Sequence, residues 1–142
     1  MPIMKNFEIL IPVVALTFWT FIILNVLGFS RIRAGAKGQI KPNDFSIGES
    51  SNVPDFVRLT NRNYMNLLEL PILFYIGCVL IYITKTQSQT LLILAWLFVV
   101  LRVVHSCIHI SYNNVMHRLT AFVASNTTLL VIWVLLAVGL AR

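Results

Sequence analysis

Charge is what this sequence has least of: only 11% of its 142 residues are charged, and just 5 are acidic. A soluble domain carries about a quarter charged residues, so an ordinary water-facing domain is excluded. Cysteine is scarce as well. Cys78 and Cys107 are the 2 in the chain, far apart and within apolar stretches. With no CxxC and no Cys/His pair at metal-ligand spacing, a disulfide relay or a zinc module has no support. Both thiols are expected to be buried as small apolar groups. Internal repeats and low-complexity tracts are missing too. The opening segment, "MPIMKNFEILIPVVALTFWTFIILNVLGF", has no small-x-small cleavage site, an acidic Glu8 and an over-long apolar run, so a retained first helix is expected rather than a secretory leader.

What is abundant is apolar surface, 58% of residues, gathered into four blocks. Residues 9–29 and 119–141 carry no charge, and each stretch is long enough to cross a bilayer, which takes about 20 residues. Helices are expected over roughly 7–29, 57–84 and 90–112, with a fourth following "NNVMH" (113–117) and ending near Arg142. "SRIRAGAKGQIKPNDFSIGESSNVPDF" reads as a loop by its Gly, Ser, Asn and Pro content, and "KTQSQ" as a short turn. The expected fold is all-α: an integral membrane four-helix bundle forming one domain over residues 1–142. The formal charge of +6 then reports orientation and calls for no nucleic-acid partner. Arg31, Arg33, Lys37, Lys41, Arg58, Arg62, Arg102 and Arg118 fall on the side of the first and third loops, against Lys5, Lys85 and Arg142 on the other. Basic residues accumulate on the cytoplasmic side, so both termini are expected on the non-cytoplasmic side.

Span length locates the candidate site. The charge-free stretch 70–84 covers only roughly 22 Å at ~1.5 Å per residue, and 86–101 is similar. A hydrocarbon core about 30 Å thick is reached only if helix 2 extends back through Glu69 and Asn66 and helix 3 onward through Arg102 and His105. Arg62, Asn66 and Glu69 stand at i, i+4 and i+7, one helical face. Arg102, His105 and His109 stand at i, i+3 and i+7, with Tyr112 continuing that face. Ionisable groups in spans face the bundle interior. A polar cavity at the cytoplasmic end is therefore expected, with a surplus of arginine over Glu69 that favours an anionic ligand. The plainer reading is a Glu69–Arg102 structural ion pair, with Asn66 and the histidines as interhelical hydrogen-bond partners. His105 and His109 are also spaced to chelate a metal, but ligand-binding or structural histidines explain i, i+4 equally well, and no metal is assigned. Asn25 and "SNTT" (125–128) are expected to hold helices together, and Trp19, Trp96 and Trp133 to pack.

"RNYMNLLELP" (62–71), "LRVVHSCIHISY" (101–112) and "HRLTAFVAS" (117–125) resemble the second, third and fourth helices of the MAPEG family, the membrane-associated proteins of eicosanoid and glutathione metabolism. The resemblance covers nearly the whole chain and implies a homotrimer with glutathione sites at subunit interfaces, open to the cytoplasm. It implies that Arg62, Asn66, Glu69 and Arg102 position glutathione as cosubstrate, with His105, His109 and Tyr112 also at the site. Arg118 would favour the thiolate. The two histidines stand where the glutathione-binding branch typically has tyrosines, which marks a divergent, bacterial-type member of the inner membrane. The implied activity is a microsomal-type glutathione transferase or peroxidase acting on a lipophilic electrophile from the surrounding lipids. The alternatives are a non-catalytic lipid-binding protein of the same fold and a small transporter using Glu69 and Arg102. For the transporter, the outer halves of helices 2 and 3 offer no polar path.

Overall fold

The computed structural model describes residues 7–141. Lys5 and Arg142, two of the residues used for orientation, lie outside them. A 3-10 turn at Glu8–Leu10 leads into α1 (Ile11–Ala36); α2 (Asp55–Leu68), α3 (Pro71–Thr84), α4 (Gln89–Ile110) and α5 (Val115–Leu140) follow. Among the described residues, four continuous paths are long and apolar enough to cross a membrane: Glu8–Ala36, Asp55–Thr84, Gln89–Ile110 and Val115–Leu140. Large apolar side chains such as Phe18, Phe21, Ile83, Val100 and Leu130 point outward. That much exposed apolar surface is stable only against lipid. The chain is a multi-pass integral membrane protein.

Local chemistry sets the ends. Ser88 caps α4, its hydroxyl accepting from the Leu91 N–H at 3.2 Å. Asn114 caps α5, its Oδ1 accepting from the N–H groups of Met116 and His117 at 3.0 and 3.1 Å. Side-chain oxygens at this position satisfy first-turn donors that have no partner within the helix. Between α4 and α5 the chain reverses through Asn113 at φ 47, a left-handed conformation that asparagine tolerates. The polar face of the third helix was expected to reach Tyr112; the helix ends at Ile110, before this turn.

Two expectations about the first half need correction. Helix 1 does not stop at Phe29 but runs to Ala36, carrying Arg31 and Arg33. Arginine and alanine are good helix formers, and the chain leaves the helix only at Lys37, just before Gly38 at φ 66. Helix 2 is broken in two. Glu69 takes φ −83, ψ −93, and Pro71 starts α3, since proline has no N–H to continue the ladder and its ring clashes with the carbonyl four residues back. The break changes neighbours: α2 packs on α1 and α4, whereas α3 packs on α5. A wedge opens between α2 and α5, floored by α4.

The main core joins Leu16, Ile23, Leu67, Phe74, Cys78, Phe98, Leu129 and Ile132, with Phe74 and Phe98 stacked at 4.5 Å. Cys78 is buried as expected, but Cys107 is exposed on the outer face of α4, one helical turn from the exposed Val104. Trp19 and Trp133 pack against the core, whereas Trp96 is partly exposed. A second small core of Leu27, Ala34, Val53 and Val57, with Ile40 and Phe45 beside it, ties the first loop to the α1–α2 end. There Arg31 pairs with Glu49 at 3.5 Å and lies over the Phe45 ring. The loop itself is organised by Asp44, which accepts from the Lys41 N–H at 2.7 Å and the Ser50 hydroxyl at 3.0 Å.

Candidate functional site

The wedge is a cavity of about 400 Å³ lined by Arg62, Met65, Asn66 and Glu69 of α2 and its end, His105 and His109 of α4, and Val115, Arg118, Leu119 and Phe122 of α5. Its volume falls within the range of small-molecule sites, about 300–1,000 Å³. Depth follows from counting along each helix from its far end at ~1.5 Å per residue. Arg62 and Arg118 both come out near ~33 Å, at the edge of a hydrocarbon layer about 30 Å thick. Glu69 lies at roughly 22 Å by the same count. The cavity therefore has a cationic rim and a carboxylate about 10 Å further in.

Five of the residues singled out from sequence meet here: Arg62, Asn66, Glu69, His105 and His109, with Arg118 as the sixth. The i, i+4, i+7 stripe on α2 faces the cavity as its spacing requires. Arg102 does not. It is 1% exposed and lies behind Phe122, its guanidinium between the Phe98 and Phe122 rings at 5.2 and 5.3 Å. Its Nη2 donates to Asn126 Oδ1 at 2.6 Å. The plain Glu69–Arg102 ion pair is also not formed. Among the described residues the ion pairs are Arg31–Glu49 and Arg58–Asp55, and the Glu69 charge acts on Arg102 only from further away. Tyr112 lies outside as well, 61% exposed and paired with His117 Nδ1 at 3.1 Å.

Arg118 ties the α4 and α5 walls together. Its Nη1 donates to Asn113 Oδ1 at 2.7 Å and meets His109 Nε2 at 3.4 Å. Because a guanidinium only donates, His109 Nε2 is the acceptor in that contact. The Arg118 carbonyl accepts from His105 Nδ1 at 3.0 Å. The two histidines are thus held in different roles by one residue. Neither was distinguishable from the other by spacing alone.

Sequence reasoning missed Asn63, Asn113 and Phe122. Asn63 is fully buried and donates from Nδ2 to Ser106 Oγ at 2.7 Å, linking α2 to α4. It sits one residue off the cavity stripe, and its neighbour Asn66 carries the recognisable spacing. Asn113 lies in a segment whose turn chemistry was legible, but its contact with Arg118 depends on the left-handed backbone. Phe122 carries no polar signal.

Electrostatically the cavity is lopsided. Arg62 and Arg118 line it, Arg102 lies behind its wall, and Glu69 is the one carboxylate among its lining residues. Three fixed cations against one anion attract a ligand with net negative charge and offer Glu69 to a cationic group on that ligand.

Compared with known proteins, residues 9–138 match the family model described as the MAPEG family. No curated protein and no solved structure matches the chain. The match spans nearly the whole chain, and the protein belongs to the MAPEG family.

Proposed function

We propose that this protein is a glutathione-dependent membrane transferase or peroxidase, with glutathione bound in the cavity between α2, α4 and α5. Glutathione carries two carboxylates, one ammonium and a thiol. That set complements a cavity with two guanidinium groups at the rim and a single carboxylate deeper in. Arg62 takes a carboxylate, Asn66 the peptide groups and Glu69 the γ-glutamyl ammonium. The thiol then lies toward Arg118, whose cation favours thiolate over thiol. The observation that carries this reading is the convergence of Arg62, Asn66, Glu69 and Arg118 on one cavity at the edge of the membrane layer.

The lipophilic partner reaches the thiolate from the bilayer, and the apolar part of the lining, Met65, Val115, Leu119 and Phe122, receives it. Conjugation transfers the sulfur to an electrophilic carbon; reduction of a hydroperoxide oxidises the thiol instead. The basic side of the first and third loops faces the cytoplasm of a bacterial cell membrane, and the protein functions as a homotrimer. Arg102 acts from behind Phe122 as part of the cavity's field. The test is incubation of purified protein with glutathione and an aryl halide. Conjugate should form, and Arg118→Ala should slow its formation by roughly 10- to 100-fold. The same apolar lining favours a second reading, a non-catalytic lipid-binding protein. Saturable lipid binding with no thiol binding at millimolar glutathione would select it.

A further inference from the structure

The two cavity histidines differ in one respect that spacing does not reveal. His109 Nε2 is already engaged by the Arg118 guanidinium at 3.4 Å. His105 is 4% exposed and lines the cavity. Its Nδ1 faces a carbonyl, that of Arg118, at 3.0 Å. A carbonyl only accepts, so Nδ1 carries the hydrogen and, in the neutral ring, Nε2 is a bare lone pair. His105 Nε2 is buried and has no hydrogen-bond partner. The arrangement is that of a catalytic base oriented by a third group through its other nitrogen.

We infer that His105 is the general base of the reaction, a role that rests on the glutathione reading above. The thiol S–H bond breaks, its electron pair stays on sulfur, and the proton forms a new bond to His105 Nε2. The thiolate is left between an imidazolium and the Arg118 guanidinium. No oxidant or reductant enters this step. After conjugation the imidazolium returns its proton to the leaving group or to water. The charged and titratable groups around the ring are Arg62 and Glu69 on the α2 side, Arg102 and His109 on α4, and Arg118 on α5. Arg118 thus acts twice: its guanidinium faces the anion, and its backbone carbonyl selects the tautomer of the base.

The experiment is a proton count. Glutathione is bound to the wild-type protein in weakly buffered solution, thiolate is read by its ultraviolet absorbance, and released protons by an indicator dye. If His105 keeps the proton, thiolate appears with clearly less than one proton released per thiolate. A full proton released for every thiolate would overturn the assignment without any variant. His105→Gln retains a donor for the Arg118 carbonyl but no base. It should leave glutathione affinity and KM nearly unchanged, lower kcat by roughly 100-fold, the lower end of what a positioned base contributes, and release one proton for each thiolate that still forms. Unaltered kcat in His105→Gln, or the same loss appearing in Glu69→Gln and not in His105→Gln, would refute the role. If the wild-type protein binds no thiol, the functional reading itself fails, and that result is separable because binding is measured independently by calorimetry.

Discussion

Replacing Arg118 by alanine removes both its proposed electrostatic effect on sulfur and its structural contacts, which thiolate titration and thermal unfolding read separately. The guanidinium holds Asn113 at 2.7 Å and His109 at 3.4 Å. Its Nη2 and Nε make no hydrogen bond among the described residues, which leaves them for a ligand. A hydrogen bond to a charged group contributes about 1.5–3 kcal/mol. Applied to the thiolate and not the thiol, that corresponds to about 1–2 pKa units at 1.36 kcal/mol each. The thiolate fraction of bound glutathione at a given pH should thus fall by roughly 10- to 100-fold. The assay is a pH titration of thiolate absorbance with saturating glutathione, beside thermal unfolding of the same samples in detergent. Arg118→Lys keeps the charge but loses the fork, so it should recover part of the shift. A titration midpoint unchanged in Arg118→Ala, in protein still folded and still binding glutathione, would rule out an electrostatic role of Arg118 at the sulfur.

Three further outcomes follow from the packing. Asn126→Ala removes the hydrogen-bond partner that Arg102 has across the helix interface and should destabilise the bundle by about 1.5–3 kcal/mol; Asn126→Asp should fold at least as well as the wild type, and equal thermal stability of all three proteins would contradict the argument. Pro71→Ala restores a donor at the α2–α3 break and lets the helix straighten, so α2 should close on α5 and glutathione affinity should drop severalfold with no loss of thermal stability, both read on the purified protein. Asp44 is held below the usual carboxylate value of 3.8 by the Lys41 N–H first and the Ser50 hydroxyl second. Its contribution to the loop is therefore complete above that value and is lost as pH falls through its depressed value in the folded loop. Protection of the amides of residues 41–50, taken relative to their unstructured exchange rate at each pH, should fall on acidification in the wild type, and Asp44→Asn should show the lower protection already at neutral pH.

Much of this was legible in the sequence because membrane constraints are coarse and strong. Charge-free stretches reveal spans, and stretches too short to span reveal which polar residues must enter the layer. That is how Arg62, Asn66, Glu69, His105, His109 and Arg118 were grouped, and the cavity brings them together. Arg102 was misplaced for a physical reason: spacing gives a direction around the helix but not whether an aromatic ring intervenes, and Phe122 does. The break at Glu69 was only hinted at by Pro71. Whether a proline bends, starts or breaks a helix depends on what each half packs against, here α1 and α4 for one half and α5 for the other. Helix 1 overran its expected end because Arg31 and Arg33 favour helix as much as they favour water. The division of labour between the histidines was beyond sequence altogether, since it rests on a backbone carbonyl and a guanidinium of the same residue.

The proposed glutathione site is the cavity between α2, α4 and α5. Isothermal calorimetry of the purified protein with glutathione, repeated with Arg62→Ala and Glu69→Gln, tests it most directly. Saturable binding is expected, weakened by about 10-fold or more in each variant, as follows from losing a charge-assisted contact of about 1.5–3 kcal/mol. No saturable binding at millimolar glutathione, or binding indifferent to both substitutions, would contradict it.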